Sequence, residues 1–335
     1  MNMTKWFSQM IESPCKKALP VLSFPSIQLL NISVASLISD SENQAKGMKL
    51  IADRVNSAAS VSMMDLSVEA ECFGSTIKIS DDEVPTVIGG IIETQEQAEA
   101  LKVPPIGSGR TGIYIEAIKK AVEMIDDKPV FSGVIGPFSL AGRLMDVNEA
   151  MIFCYEEPDM VHIVLEKATE FIIEYCKAFK AVGANGVFMA EPLAGLLSPA
   201  LAEEFSSQYV KKIVDAVKDD DFAVVYHNCG DAVLSMVDSI LSTNSSAYHF
   251  GDAIDMRDMI PLIPSDTVVM GNISPAKQFR NGTTDSIRED TLNLLKDCSK
   301  YPNFVISSGC DIPPLSKWEN IDEFFNTVDE FYKNC

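Results

Sequence analysis

The feature that most constrains this chain is a recurrence of short β-type runs separated by longer amphipathic stretches. Eight runs stand out, at 20–24, 60–64, 130–135, 186–190, 222–226, 246–250, 267–270 and 303–306. Between most of them apolar residues recur at three- and four-residue steps, as in 158–180 and 199–217, the period of a helix with one buried face. Alternation of this kind implies parallel strands joined by crossover helices. Eight strands in a chain of 335 residues point to an α/β fold built as a single (β/α)8 TIM barrel spanning 1–335. An open nucleotide-binding sheet needs its glycine fingerprint directly after an early strand, and none is there. The Gly-rich stretch Ile106-Gly-Ser-Gly-Arg-Thr-Gly112 follows no convincing strand and is expected to be a mobile loop over the barrel mouth. The stretch 65–128 is longer than one crossover requires, so an insertion after strand 2 is expected, with a hairpin near 76–79 and 86–91.

Charge and apolar content narrow the function. A formal net charge of −21 repels nucleic acid and anionic membranes, so neither is an expected partner. The longest apolar runs fall far short of the roughly 20 residues of a spanning helix. Residues 1–17 mix Lys5, Glu12, Lys16 and Lys17 without a sustained apolar stretch, which does not read as a secretory signal; a cytoplasmic location is expected. The eight cysteines (15, 72, 154, 176, 229, 298, 310 and 335) are scattered through the chain, a spacing that suits reduced thiols or metal ligation better than a disulfide scaffold.

Active sites of such barrels lie at the carboxyl ends of the strands. Strand two ends in Asp65, strand four in Glu191-Pro192, strand five in His227-Asn-Cys229-Gly230, strand six in Gly251-Asp252, strand seven in Gly271-Asn272 and strand eight in Gly309-Cys310-Asp311. In extended chain, residues two apart project to the same side, so His227 and Cys229 can chelate one ion. Cys310 occupies the corresponding strand-end position three strands on. Thiolates with an imidazole select zinc, and three protein ligands leave a fourth position open for chemistry. The same residues also suit small buried apolar cysteines beside a hydrogen-bonded core histidine. Strands five and eight are not neighbours, so a loop must carry one of the cysteines inward. Glu191 and Asp252 are candidates for the fourth position, for supporting His227, or for ordinary ion pairs, and Asp65 is a candidate catalytic carboxylate or helix cap. Glu69 and Glu71 are expected on a solvated face, His162 on the surface or in packing, and His249 in a structural role.

The sequence resembles the uroporphyrinogen decarboxylase superfamily and, within it, the methylcobamide:coenzyme M methyltransferases. The likeness rests on Asp65-Leu-Ser-Val-Glu-Ala-Glu-Cys-Phe-Gly74, Gly136-Pro-Phe-Ser-Leu-Ala141, Glu191-Pro-Leu-Ala-Gly-Leu-Leu-Ser-Pro199, Tyr226-His-Asn-Cys-Gly230, Met270-Gly-Asn-Ile-Ser-Pro275 and Ser308-Gly-Cys-Asp-Ile-Pro-Pro314. The resemblance implies a (β/α)8 barrel and a zinc held by a His-x-Cys…Cys set, which falls on His227, Cys229 and Cys310. It further implies methyl transfer between a methylcorrinoid and an acceptor activated by zinc, either a thiol such as coenzyme M or tetrahydrofolate. No histidine here has Asp two positions before it, unlike the cobalt-ligating loop of corrinoid-carrying domains, so the methylcorrinoid is expected on a partner corrinoid protein. At Gly251-Asp252 the sequence departs from the Glu-Glu pair of the coenzyme M branch. The decarboxylase branch carries an N-terminal arginine motif, whereas the first arginine here is Arg54, and its late Gly-His-Gly is replaced by Gly309-Cys310-Asp311. Porphyrinogen decarboxylation is thus the alternative expectation, and a non-catalytic docking barrel with a structural zinc is the second.

Overall fold

The computed structural model describes residues 1–333, so Cys335 and the end of the expected domain lie outside the described residues. Seven parallel strands form one sheet: β1 (Ser60–Val61), β4 (Val130–Ile135), β5 (Gly186–Ala190), β6 (Ala223–Asn228), β7 (Ala247–Phe250), β8 (Val268–Ile273) and β9 (Phe304–Ser308), paired in that order. A separate antiparallel hairpin joins β2 (Thr76–Lys78) to β3 (Thr86–Ile88), where the turn-flanked β runs had placed one. Helices follow most strands, the longest being Pro158–Ala181 after β4. The result is an α/β fold with a TIM-like barrel sheet.

The expected first strand is corrected by the structure. Residues 20–24 are irregular, and among the described residues the sheet has seven strands rather than eight. Pro20 has no N–H to give a ladder, and the Val21 amide donates to the Ser308 hydroxyl (3.1 Å) in place of a backbone carbonyl, so the run does not register as a strand. The backbone nevertheless bridges the sheet's two edges: the Leu19 amide donates to the Ile306 carbonyl (3.0 Å), and the Ala58 amide donates to the Ala18 carbonyl (2.9 Å).

Two apolar cores follow from the period of two along the strands. Leu19, Val21, Val61, Phe131, Phe188, Val225, Val268, Met270 and Val305 fill the inside of the sheet, and Met3 and Phe7 of the helix Met3–Glu12 close its floor. The alternate residues, such as Val224, Tyr226, Phe250 and Val269, join the helices in a second core with Phe171, Ile172 and Phe179. Burying each such side chain contributes roughly 1.5–3 kcal/mol. Inward parity on β6 and β7 continues from Val225 to His227 and from Ala247 to His249, which the sheet register pairs with each other. Among the described residues no helix is long and apolar enough to cross a membrane.

Candidate metal centre

His227 is the last inward residue of β6 and is 1% exposed. The chain leaves the strand at once, because the Asn228 side-chain oxygen accepts from the Gly230 amide (2.9 Å) and its Nδ2 donates to the Tyr226 hydroxyl (3.1 Å). That tight turn delivers the half-buried Cys229 to the mouth. Cys310 arrives from the far side, one residue after the Gly309 amide has donated to the Ile273 carbonyl (2.7 Å).

Two glycines permit the approach. A Cβ on Gly251 would lie 2.5 Å from the Cys229 Cβ, and one on Gly309 would lie 2.8 Å from the Asp252 nitrogen. The loop after β7 is therefore wedged between the two cysteine-bearing turns, and strands that are not neighbours still bring their ends together. The Asn272 amide holds this loop by donating to the carbonyls of Gly251 (2.9 Å) and Ile254 (2.8 Å).

One ligand atom from each of His227, Cys229 and Cys310 lies within 4.8 Å of the others. A nitrogen and two sulfurs on a tetrahedral zinc stand about 3.5–3.8 Å apart, a contraction of roughly an ångström at most. The Nε2 of His227 is buried without a hydrogen-bond partner, and an imidazole nitrogen in that state costs free energy unless something fills it. The set therefore fits a metal ion. The neighbouring Cys310 holds the Cys229 thiol well below the usual range, while Cys229 and burial push the Cys310 thiol up.

Behind His227 the interior is polar in a single line. His227 Nδ1 lies 2.7 Å from His249 Nδ1, and His249 Nε2 lies 2.7 Å from Ser307 Oγ, which donates to the Leu19 carbonyl at 2.8 Å. Burial and the neighbouring His227 keep the His249 ring well below its usual pKa.

The carboxylates expected at the mouth occupy three different settings. Asp252 is exposed and abuts Gly309. Glu191 is fully buried, accepting from the Ser139 amide (3.3 Å) at the start of the helix Pro137–Met145 and from the Ser206 hydroxyl (3.2 Å); burial pushes its pKa to about 8. Asp65 is 5% exposed and enclosed by the Arg110 guanidinium, the Tyr114 hydroxyl (2.7 Å) and the Ser67 amide (3.1 Å). Arg110 also donates to Glu71 (2.6 Å) and to the Ser67 hydroxyl (2.8 Å), so the Gly-rich loop 106–112 is pinned at the mouth.

Glu69 corrects an expectation. It is 2% exposed rather than on a solvated face, accepting from the Ile135 amide (3.1 Å) while burial pushes its pKa to about 7. His162 packs instead of ligating: its ring stacks on Phe205 and bonds the Tyr209 hydroxyl at 2.7 Å. Sequence reasoning passed over Ser307, and named Asn272 and Asp311 only as strand ends and Arg110 only within the Gly-rich stretch, without a role for any of them. Asp311 accepts from the Met64 amide (2.7 Å) and leaves its other carboxylate oxygen unpartnered beside Cys310.

Comparison with known proteins shows the family and the fold. The chain is 30% identical over 266 residues to the methylcobamide:CoM methyltransferase MtbA of Methanosarcina acetivorans, covering 77% of this chain and 76% of that one. It is 29% identical over 265 residues to the uroporphyrinogen decarboxylase of Prochlorococcus marinus, covering 75% and 73%. Among solved structures, a methyltransferase from Methanosarcina mazei superposes with a TM-score of 0.85 at 23% identity, covering 99% of both chains, and shows the same fold. A B12-independent methionine synthase from Shewanella aligns with a TM-score of 0.64 at 12% identity, covering 96% and 97%. The sequence pattern of uroporphyrinogen decarboxylase (URO-D) matches residues 26–331, and with these relatives the chain belongs to the URO-D family.

Proposed function

We propose that this protein is a zinc-dependent corrinoid methyltransferase, moving a methyl group between a methylcorrinoid on a partner protein and a small acceptor, either a thiol such as coenzyme M or tetrahydrofolate. The observation that carries the reading is the bare Nε2 of His227 facing two half-buried thiols at the barrel mouth, in a chain whose relatives include methylcobamide:CoM methyltransferases. The fold reading that goes with it is a (β/α)8 barrel with 18–21 in the eighth strand's place and 65–128 as an insertion.

His227, Cys229 and Cys310 would hold the metal. Bound there, zinc supplies Lewis acidity that lowers the pKa of an acceptor thiol, so that its thiolate is present at neutral pH. The chain's own residues set the rest. The turns at Gly251 and Gly309 aim both sulfurs at one point, and Asn272 fixes the loop that presents Asp252 beside them. Asp252 is positioned to adjust the fourth position. Glu191 supports the site through its backbone amide, which donates to the His227 carbonyl (2.9 Å). Asp65 acts through Arg110, shaping the rim over which acceptor and partner approach.

The decarboxylase reading needs cations for a carboxylate-rich substrate. Of the six arginines, Arg54, Arg110, Arg257, Arg280 and Arg288 are each paired with an acidic side chain, which leaves Arg143, its Nε buried without a partner, as the one not so engaged among the described residues. The deciding experiment is zinc analysis of the purified protein, followed by methylcobalamin demethylation against a panel of thiols and tetrahydrofolate. One equivalent of zinc and turnover with one acceptor are expected. Less than about half an equivalent, or turnover of a porphyrinogen with no methyl transfer, overturns the reading.

A further inference from the structure

We propose that His249 and Ser307 act as positioning residues that lock His227 in the tautomer able to ligate a metal, through a hydrogen-bond line whose direction is set by the backbone carbonyl of Leu19. The inference rests on the metal-binding reading of the site and extends it to residues inside the barrel.

The direction can be worked out from the far end. A carbonyl oxygen only accepts, so at 2.8 Å the Ser307 hydroxyl donates its one proton to Leu19. With that proton committed, Ser307 Oγ at 2.7 Å from His249 Nε2 must be the acceptor, and Nε2 carries the hydrogen. A neutral imidazole has one N–H, so His249 Nδ1 is then a lone pair. Facing it at 2.7 Å, His227 Nδ1 must be the donor. That leaves His227 Nε2 bare, and Nε2 is the buried atom without a partner that faces the two cysteines.

A second contact reaches the same answer from the near end. His227 Nδ1 also lies 3.3 Å from the His249 carbonyl oxygen, which again can only accept, so Nδ1 bears the hydrogen whichever neighbour it favours. Both ends of the line thus require one protonation pattern. The opposite tautomer would put two lone pairs against each other between the rings and aim an N–H at the metal position. A ligating histidine whose other nitrogen is fixed in this way binds metal more tightly, typically by 10–100-fold. All three side chains are buried.

The test separates this inference from the metal reading by measuring the tautomer without metal. In the metal-free protein, 15N histidine chemical shifts should show His227 protonated at Nδ1 and bare at Nε2. The reverse tautomer overturns the proposal, whether or not zinc binds. In the zinc-loaded protein, chelator competition should show His249→Leu weakening zinc by roughly 10–100-fold. His249→Asn, whose side-chain oxygen replaces the Nδ1 lone pair, should recover most of that loss. Ser307→Ala, which removes the acceptor that orients His249, should weaken zinc by a smaller factor and broaden the visible bands of the cobalt-substituted protein. Unchanged zinc affinity in Ser307→Ala and in a folded His249→Leu protein overturns the proposal, as does an Asn variant no better than Leu. If His249→Leu does not fold, the Asn and Ala variants still decide. Wild-type protein that binds no zinc but shows the stated tautomer would sink the metal reading while leaving the hydrogen-bond line standing.

Discussion

Two sides of the barrel mouth carry comparable stocks of ionisable groups and arrange them in opposite ways. Beside β1 and β4, Asp65 and Glu71 converge on Arg110, with Ser67 and Tyr114 taking up further bonds. Between β6 and β9, the Nε2 of His227 has no partner and two thiols face it. A buried polar atom left unsatisfied must be filled by a ligand or carried as a cost, whereas one whose bonds are complete is part of the scaffold. The contrast teaches that carboxylates at strand ends are weak evidence for chemistry by themselves; what matters is whether a neighbour has already claimed their oxygens.

The comparison can be broken most severely at the thiols. Cys310→Ala should weaken zinc by roughly a thousandfold or more, about 4 kcal/mol, and abolish methyl transfer while leaving the fold intact; chelator competition and circular dichroism read both. Full zinc retention would remove the distinction between the two sides. Arg110→Met should do the reverse. With Asp65 buried and unpaired, stability should fall by about 3–5 kcal/mol in urea unfolding, with zinc content unchanged, and a parallel loss of zinc would show that the two sides are one unit.

Glu69 sharpens the scaffold side further. Its folded pKa of about 7 stands above the ordinary 4.5 because burial disfavours the charge. Its contribution to stability is therefore complete below about pH 4.5 and is lost as pH rises through about 7. Glu69→Gln should remove this dependence, so that the variant gains on wild type by up to the order of 3 kcal/mol between those limits, read as diverging melting temperatures. Parallel curves would refute the assignment. The smallest effect belongs to Gly251→Ala. Its new methyl meets the Cys229 Cβ, and displacement of that turn should cost about 1–3 kcal/mol, seen as zinc affinity reduced by about tenfold.

The pair His227 and Cys229 was legible because two-residue spacing at a strand end has a direct geometric meaning. Cys310 was legible only through its equivalent strand-end position and the family resemblance, since nothing local in Gly309-Cys310-Asp311 says which strand end it will meet. The supporting role of His249 was not legible. Ala247–Phe250 is buried on both faces, so no polar alternation tells inward from outward, and Ser307 lies in a strand buried throughout. Arg110 escaped because its loop lacks periodicity and its partners lie 39 and 45 residues away. The strand expected at 20–24 failed for a different reason: β-type composition describes side chains, while a ladder also needs N–H groups bonded to backbone carbonyls, and Pro20 has none while that of Val21 goes to the Ser308 hydroxyl.

That irregular segment has a consequence for how the molecule is assembled. Residues 18–21 join the barrel by bonding to β9, nearly three hundred residues downstream, with Leu19 and Val21 tied to Ile306, Ser307, Ser308 and Ile312. On the ribosome the early segment must wait, its apolar residues without their final neighbours, until β9 has emerged. Contacts so distant in sequence form late, because closing a long loop costs entropy before it brings stabilisation. Ring closure thus waits for β9, and the Leu19 carbonyl that orients the histidines takes its place at the same moment.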